Sequence, residues 1–130
     1  MVIGILQKKD QFLIAQRPPN KPYSGYWEFP GGKIEADESS FQALLRELRE
    51  ELGVVVLSAD FLFQHAHDYP DKTVLLDVWQ VNAFHGEPHG KEGQVLNWVS
   101  WSEMKTYQVL EGNQHIIKRV EIDLRIRSAI

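Results

Sequence analysis

Residues 32–54 read Gly32-Lys33-Ile34-Glu35-Ala36-Asp37-Glu38-Ser39-Ser40-Phe41-Gln42-Ala43-Leu44-Leu45-Arg46-Glu47-Leu48-Arg49-Glu50-Glu51-Leu52-Gly53-Val54. Phe41, Leu44, Leu45, Leu48 and Leu52 recur at helical spacing and fall on one stripe. The spacing predicts a helix from Glu38 to Leu52, with Asp37 as N-cap and Gly53 at the C-cap. The β-branched run Val54-Val55-Val56 then opens a strand. Glu47, Glu50 and Glu51 stand at i, i+3 and i+4, so a helix gathers them on an arc of about 100°. Crowded like charges weaken a helix, and a divalent cation would remove their repulsion. Oxygen ligands without cysteine favour magnesium or manganese, which leave positions for water and substrate phosphates. The plainer reading is a solvated acidic face, with Arg46 and Arg49 as partners and Arg46–Glu50 at i, i+4 spacing.

Outward from this segment, Val2 to Leu6 and Phe12 to Gln16 read as strands around Lys8-Lys9-Asp10. Three prolines and a glycine between residues 17 and 25 predict an irregular loop. A short extended piece, Trp27-Glu28-Phe29, ends at Pro30-Gly31-Gly32. Further strands are expected at 61–67, 73–82 and 95–99, and Ser102 is a candidate cap for a short helix. From Asn113 to about Arg127 a second helical stripe runs through Ile116, Ile117, Val120 and Leu124. Strands, helix, strands, helix is the order of an α+β fold with helices on a mixed sheet.

A chain of 130 residues has room for one domain around one core. The net charge of −4 argues against a nucleic-acid polymer as partner, which needs a broad basic surface. A small phosphorylated ligand remains compatible, because cations mediate between acidic sites and phosphates. No cysteine is present, so disulfides and thiolate chemistry drop out. No apolar run is long enough for a bilayer, and Met1 to Leu6 has no basic segment of a signal peptide. The expectation is a cytoplasmic protein without membrane contact, and a monomer.

Segment 32–54 matches G-x5-E-x7-R-E-U-x-E-E-x-G-U, where U is a bulky aliphatic, at Gly32, Glu38, Arg46, Glu47, Leu48, Glu50, Glu51, Gly53 and Val54. This is the Nudix box, and the chain resembles the Nudix hydrolases. Three more features look like the MutT-type branch of that family. They are Trp27-Glu28-Phe29-Pro30-Gly31-Gly32, Gly86-Glu87-Pro88-His89-Gly90-Lys91-Glu92-Gly93-Gln94, and Asn113 at the start of the last helix. The resemblance implies a Nudix fold, a mixed sheet sandwiched between helices, over residues 1–130. It also implies a magnesium-dependent diphosphatase that converts 8-oxo-dGTP, and dGTP, to the monophosphate and pyrophosphate. Such an enzyme cleans the nucleotide pool and prevents mutation.

By that resemblance Glu47, Glu50 and Glu51 hold magnesium (or manganese), with a backbone carbonyl of Gly31 or Gly32 nearby. Glu92 resembles a loop glutamate that ligates metal or acts as base, and either Glu47 or Glu92 activates the water. Glu38 and Arg46 shape the loop and helix, with substrate contact an equal alternative for Arg46. Arg17 matches a position near the phosphates and sugar, and Lys33 is a weaker counterpart. Phe29 resembles a pocket aromatic, although an aromatic in a strand also suits a core. Asn113 matches an asparagine that reads the oxidised purine edge, where N7 becomes a donor. The same residue type also makes a good N-cap.

Some features depart from that pattern. Lys72 stands where the MutT type has an arginine over the base, which loses a planar stack. Only three residues precede Gly4, and Glu121 to Ile130 runs past the family end, so a piece of a longer protein is expected. His65 and His67 share a strand face as a conceivable metal pair, but no third ligand is in view. His85, His89 and His115 receive no role, and Trp79, Trp98 and Trp101 are read as core. The competing functions are a Nudix hydrolase for CTP, another pyrimidine triphosphate or ADP-ribose, and a non-catalytic nucleotide-sensing module. Loss of a box glutamate would have favoured the module, and all are present.

Overall fold

A computed structural model describes the backbone of residues 1–129 and the side chains of residues 1–123. In chain order it forms β1 (Val2–Lys8), β2 (Gln11–Gln16), β3 (Trp27–Glu28), β4 (Gly31–Gly32), α1 (Ser40–Leu52), β5 (Val55–Tyr69), β6 (Lys72–His85), β7 (Leu96–Val99), α2 (Trp101–Met104) and α3 (Glu111–Ala129). The sheet order is β3-β2-β1-β6-β5, with β4 also on β1 and β7 also on β2. β1 is parallel to β6 and antiparallel to β2 and β4, so the sheet is mixed.

Both faces of this sheet are covered, which explains why β1 and β2 are almost continuously apolar. Ile3, Ile5, Phe12 and Ile14 point to one side and pack with Met104, Ile116 and Val120 of α2 and α3. Leu6 and Leu13 point to the other side and meet Leu44, Leu48 and Leu52 of α1. Burying each leucine stabilises the fold by about 2 kcal/mol. Trp101 stacks on Phe12 with ring centroids 3.9 Å apart, and Trp79 and Trp98 pack against the α1 cluster. Phe41, expected on the buried stripe, is exposed at its edge and leans on Trp79. The Leu124 side chain lies outside the described residues. Among the described residues no helix is long and apolar enough to cross a membrane.

Cap positions differ from the expectation. Ser39, not Asp37, caps α1: its hydroxyl accepts from the Gln42 N–H at 3.1 Å. The Gln42 side chain in turn accepts from the Ser39 N–H at 2.9 Å. Ser100, not Ser102, caps α2 through the same reciprocal pair with Glu103. Each pair satisfies two backbone donors, where a lone Asp37 or Ser102 would satisfy one. Gly53 ends α1 with φ 72°, a left-handed conformation that glycine adopts without strain. β5 and β6 outrun the expected strands because each supplies the other's backbone partners along the hairpin, whatever the side chains.

Replacing Ser39 by alanine should lower unfolding free energy by about 1 kcal/mol, while Asp37→Ala changes it little. Urea denaturation of the two variants measures the difference, and equal losses would contradict the capping assignment.

Candidate active site

Turning α1 so that its leucines face β1 brings its acidic edge against β4. The approach is so close that a Cβ on Gly32 would overlap the Glu47 carboxylate. Glu51 sits beside it, with its Oε2 accepting from the Gly31 N–H at 3.4 Å. Both glycines therefore lie against the glutamates, Gly31 through its N–H and Gly32 through its α-carbon. Burial, then the charges of Glu47 and Glu92, push the Glu51 carboxyl up to about 8, against a smaller pull from the Gly31 N–H.

Arg46 ties this edge together. Its Nε and Nη2 donate to the two oxygens of Glu38, each at 2.7 Å, and Nη2 also reaches the Lys33 carbonyl at 2.9 Å. The Arg46 hydrogen bonds hold Glu38 down to about 2. Nη1 meets Glu47 at 2.9 Å and Glu50 at 3.3 Å. Arg46 thus clamps the loop before α1 onto the helix, and also offsets part of the acidic crowding. Among the described residues no three His, Asp or Glu side chains stand ready in ligating geometry. The helix gathers Glu47 and Glu50, but around the Arg46 guanidinium.

Glu92 arrives from the other side of the sequence. The loop between β6 and β7 docks on the end of α1 through His89 N–H to Leu52 O and Lys91 N–H to Glu51 O, both at 3.1 Å. Gln94 Nε2 donates to the same Glu51 carbonyl at 3.1 Å. These donors satisfy helix-terminal carbonyls and bring Glu92 within electrostatic reach of Glu51. Its carboxylate is half exposed, 3.8 Å from Lys21 Nζ.

The remaining candidates lie outside α1 and the β6–β7 loop. Arg17 Nη1 pairs with Glu28 at 3.0 Å, and its Nε donates to the Pro22 carbonyl. Phe29 is 3% exposed and belongs to the core under α3, so its ring has little free surface for a ligand. Its backbone N–H donates to Asn113 Oδ1 at 2.9 Å. Asn113 lies inside the first turn of α3 rather than at its cap, and only 6% of it is exposed. Lys72 is exposed at the tip of the β5–β6 hairpin, opposite Tyr69. Sequence reasoning passed over Glu28 and Tyr69. Burial raises the carboxyl of Glu28 and the phenol of Tyr69, and each also senses neighbouring charges. Glu28 was readable as part of the Trp27–Gly32 stretch, whereas Tyr69 had no local signal. A groove of about 350 Å³ between α2 and α3, lined by Met104, Tyr107, Val109 and Ile117, holds none of the candidate side chains.

The donor chemistry of the cluster suits a hard divalent cation: its donors are oxygens, its charges are crowded, and an added positive charge would relieve Glu51. Between 4.5 and about 8 the folded, cation-free chain keeps a Glu51 proton that the unfolded chain releases. Its stability therefore falls as pH rises through that window and levels off above it. Glu51→Gln should flatten this dependence and stabilise the cation-free protein at pH 8 by about 1–2 kcal/mol after solvent screening. Denaturation in EDTA at pH 5 and pH 8 tests it, and parallel pH profiles for the two proteins would refute it.

Comparison with known proteins agrees with this geometry. The chain is 36% identical over 129 residues to CTP pyrophosphohydrolase of Escherichia coli (strain K12), covering 99% of this chain and 93% of the relative. It is 36% identical over 118 residues to 8-oxo-dGTP diphosphatase of Haemophilus influenzae, covering 90% and 87%. A solved structure from a study of MutT from Aliivibrio salmonicida and Vibrio cholerae superposes with TM-score 0.78 at 39% identity, covering 92% of this chain and 93% of that one. The family model of the NUDIX domain matches residues 1–119, and with the glutamates and glycines arranged as above, the chain belongs to the Nudix hydrolases, MutT-like in fold and sequence.

Proposed function

We propose that residues 1–130 form one hydrolase domain that cleaves nucleoside triphosphates to monophosphate and pyrophosphate, with 8-oxo-dGTP preferred. Glu47, Glu50, Glu51 and Glu92, with the Gly31 and Gly32 backbone, are the residues proposed to hold magnesium or manganese. The cation supplies electrophilic activation of the phosphates and acidifies water. The water oxygen bonds to the β-phosphorus, the bridge to the α-phosphate breaks, and the α-phosphate keeps the bridging oxygen. A carboxylate takes the water's proton, and Glu47 and Glu92 are the two candidates. Arg46 acts as a positioning residue, since its hydrogen bonds go to Glu38, Glu47 and Glu50. Arg17 exchanges its Glu28 partner for phosphate oxygens.

The observation that carries the base preference is the buried Asn113 amide. The Phe29 N–H fixes which end is oxygen. One acceptor lone pair and the Nδ2 donors remain for a base edge. An oxidised purine offers a donor at N7, where the ordinary purine offers an acceptor. Lys72, at the hairpin tip, is the proposed cation over the base. Destroying such a triphosphate keeps the oxidised base from polymerases.

CTP is the second reading, favoured by the pyrophosphohydrolase relative that matches 99% of this chain. The cytosine edge also sets a donor, the N4 amine, beside an acceptor, N3, so Asn113 alone does not separate the two. Measuring kcat/KM for 8-oxo-dGTP, dGTP and CTP with magnesium separates them. We expect 8-oxo-dGTP to lead by about tenfold or more, which is the value of one well-placed hydrogen bond. A lead by CTP transfers the assignment to the second reading.

Glu50→Gln or Glu51→Gln should reduce turnover on the order of a thousandfold while the fold survives. Asn113→Ala should shrink the preference for the oxidised base more than it lowers kcat. A Glu51→Gln variant with unchanged turnover would end the catalytic reading.

A further inference from the structure

His65 and His67 share one face of β5, and the first turns of α3 bring His115 against both. The ring centroids are 6.0 Å apart for His65–His67, 5.7 Å for His65–His115 and 5.4 Å for His67–His115. His67 is 7% exposed, and the Nε2 atoms of His65 and His67 are buried without a hydrogen-bond partner. A buried ring nitrogen left unsatisfied costs about 1–3 kcal/mol, so two in contact call for a physical reason. We propose that His65, His67 and His115 bind one borderline divalent transition-metal ion, of the zinc, nickel or copper class, separately from the glutamate cluster.

Three imidazoles with no thiolate or carboxylate select that class over magnesium. Imidazoles around a tetrahedral ion hold their ring centres about 5 Å apart, close to the spacing already present. The rings stand 26–38° from parallel and their donor atoms do not yet converge. Convergence requires side-chain rotation, which exposed His115 is free to make. Among the other groups around the trio, Arg119 lies over the Phe63 ring and Tyr69 stands edge-on to His67 at 4.7 Å. Cross-strand neighbours on β6 are the apolar Leu76 and Val74. Burial, with His115, His67 and Arg119 adding to it, lowers the His65 pKa and keeps its ring in the neutral, ligating form. Three ligands leave a fourth position for water on the exposed His115 side. The ion would tie β5 to the turn of α3 that carries Asn113, and this holds whichever nucleotide the glutamates serve.

The test uses the EDTA-treated, desalted chain, titrated with zinc chloride and separately with cobalt chloride. One equivalent of zinc should bind and raise the melting temperature, in the presence of millimolar magnesium and equally in a Glu51→Gln background. Cobalt should give the visible absorption of a low-coordinate imidazole site. His115→Gln, at an exposed position, should keep the fold, weaken zinc binding on the order of a hundredfold and remove the absorption. His65→Gln should do the same. Zinc uptake that is absent, unchanged in His115→Gln, or lost in Glu51→Gln overturns the proposal and leaves the trio as a packed histidine cluster.

Discussion

The Glu47 carboxylate rests against the α-carbon of Gly32, where any side chain would overlap it, and Glu51 reaches the Gly31 N–H beside it. Much of the molecule serves this approach. Leu44, Leu48 and Leu52 press α1 onto the sheet, Ser39 and Gly53 set its two ends, and β4 is pinned to β1. A shift of α1 by one residue would rotate the glutamates about 100° away from the glycines. The leucine stripe and the acidic edge are therefore two aspects of one rigid placement.

That placement is electrostatically unfavourable in itself. Glu51 is partly buried next to Glu47 and Glu92, which raises its carboxyl pKa, and a guanidinium is shared among Glu38, Glu47 and Glu50. Local rules of helix design argue against such crowding, and violations of this kind collect where a site must bind charge. Arg46 has a double task, since the hydrogen bonds that fix the preceding loop come from the same group that offsets the acids. Lysine could carry the charge but not the forked geometry.

The surroundings of Asn113 are built from distant pieces. Asn113 takes its orientation from Phe29, whose ring is core while its backbone donates. The β5–β6 hairpin delivers Tyr69 and Lys72, and the added histidine trio lies along the same β5 face under α3. The proposed base reader and the glutamates proposed to hold the cation thus lie on different elements, joined through the short β3–β4 stretch. Relatives of similar identity carry names for different nucleotides, CTP in one and 8-oxo-dGTP in another.

The sequence by itself determined the α1 helix, its glycine stop, the two-sided strands of a mixed sheet and the acidic triad, because periodicity and spacing report the faces of a single element. The serine caps were also local, in Ser-x-x-Gln and Ser-x-x-Glu, but a neighbouring acid or serine offered a competing oxygen. Only the tertiary structure decided that Asn113 meets Phe29, that Glu92 comes near Glu51, that Arg17 faces Glu28, and that His115 completes a trio with His65 and His67. Those pairs are far apart in sequence or on different elements. Their meeting depends on the pairing of β2 with β3 and of β1 with β6 and on how α3 lies across the sheet, none of which leaves a periodic trace along the chain.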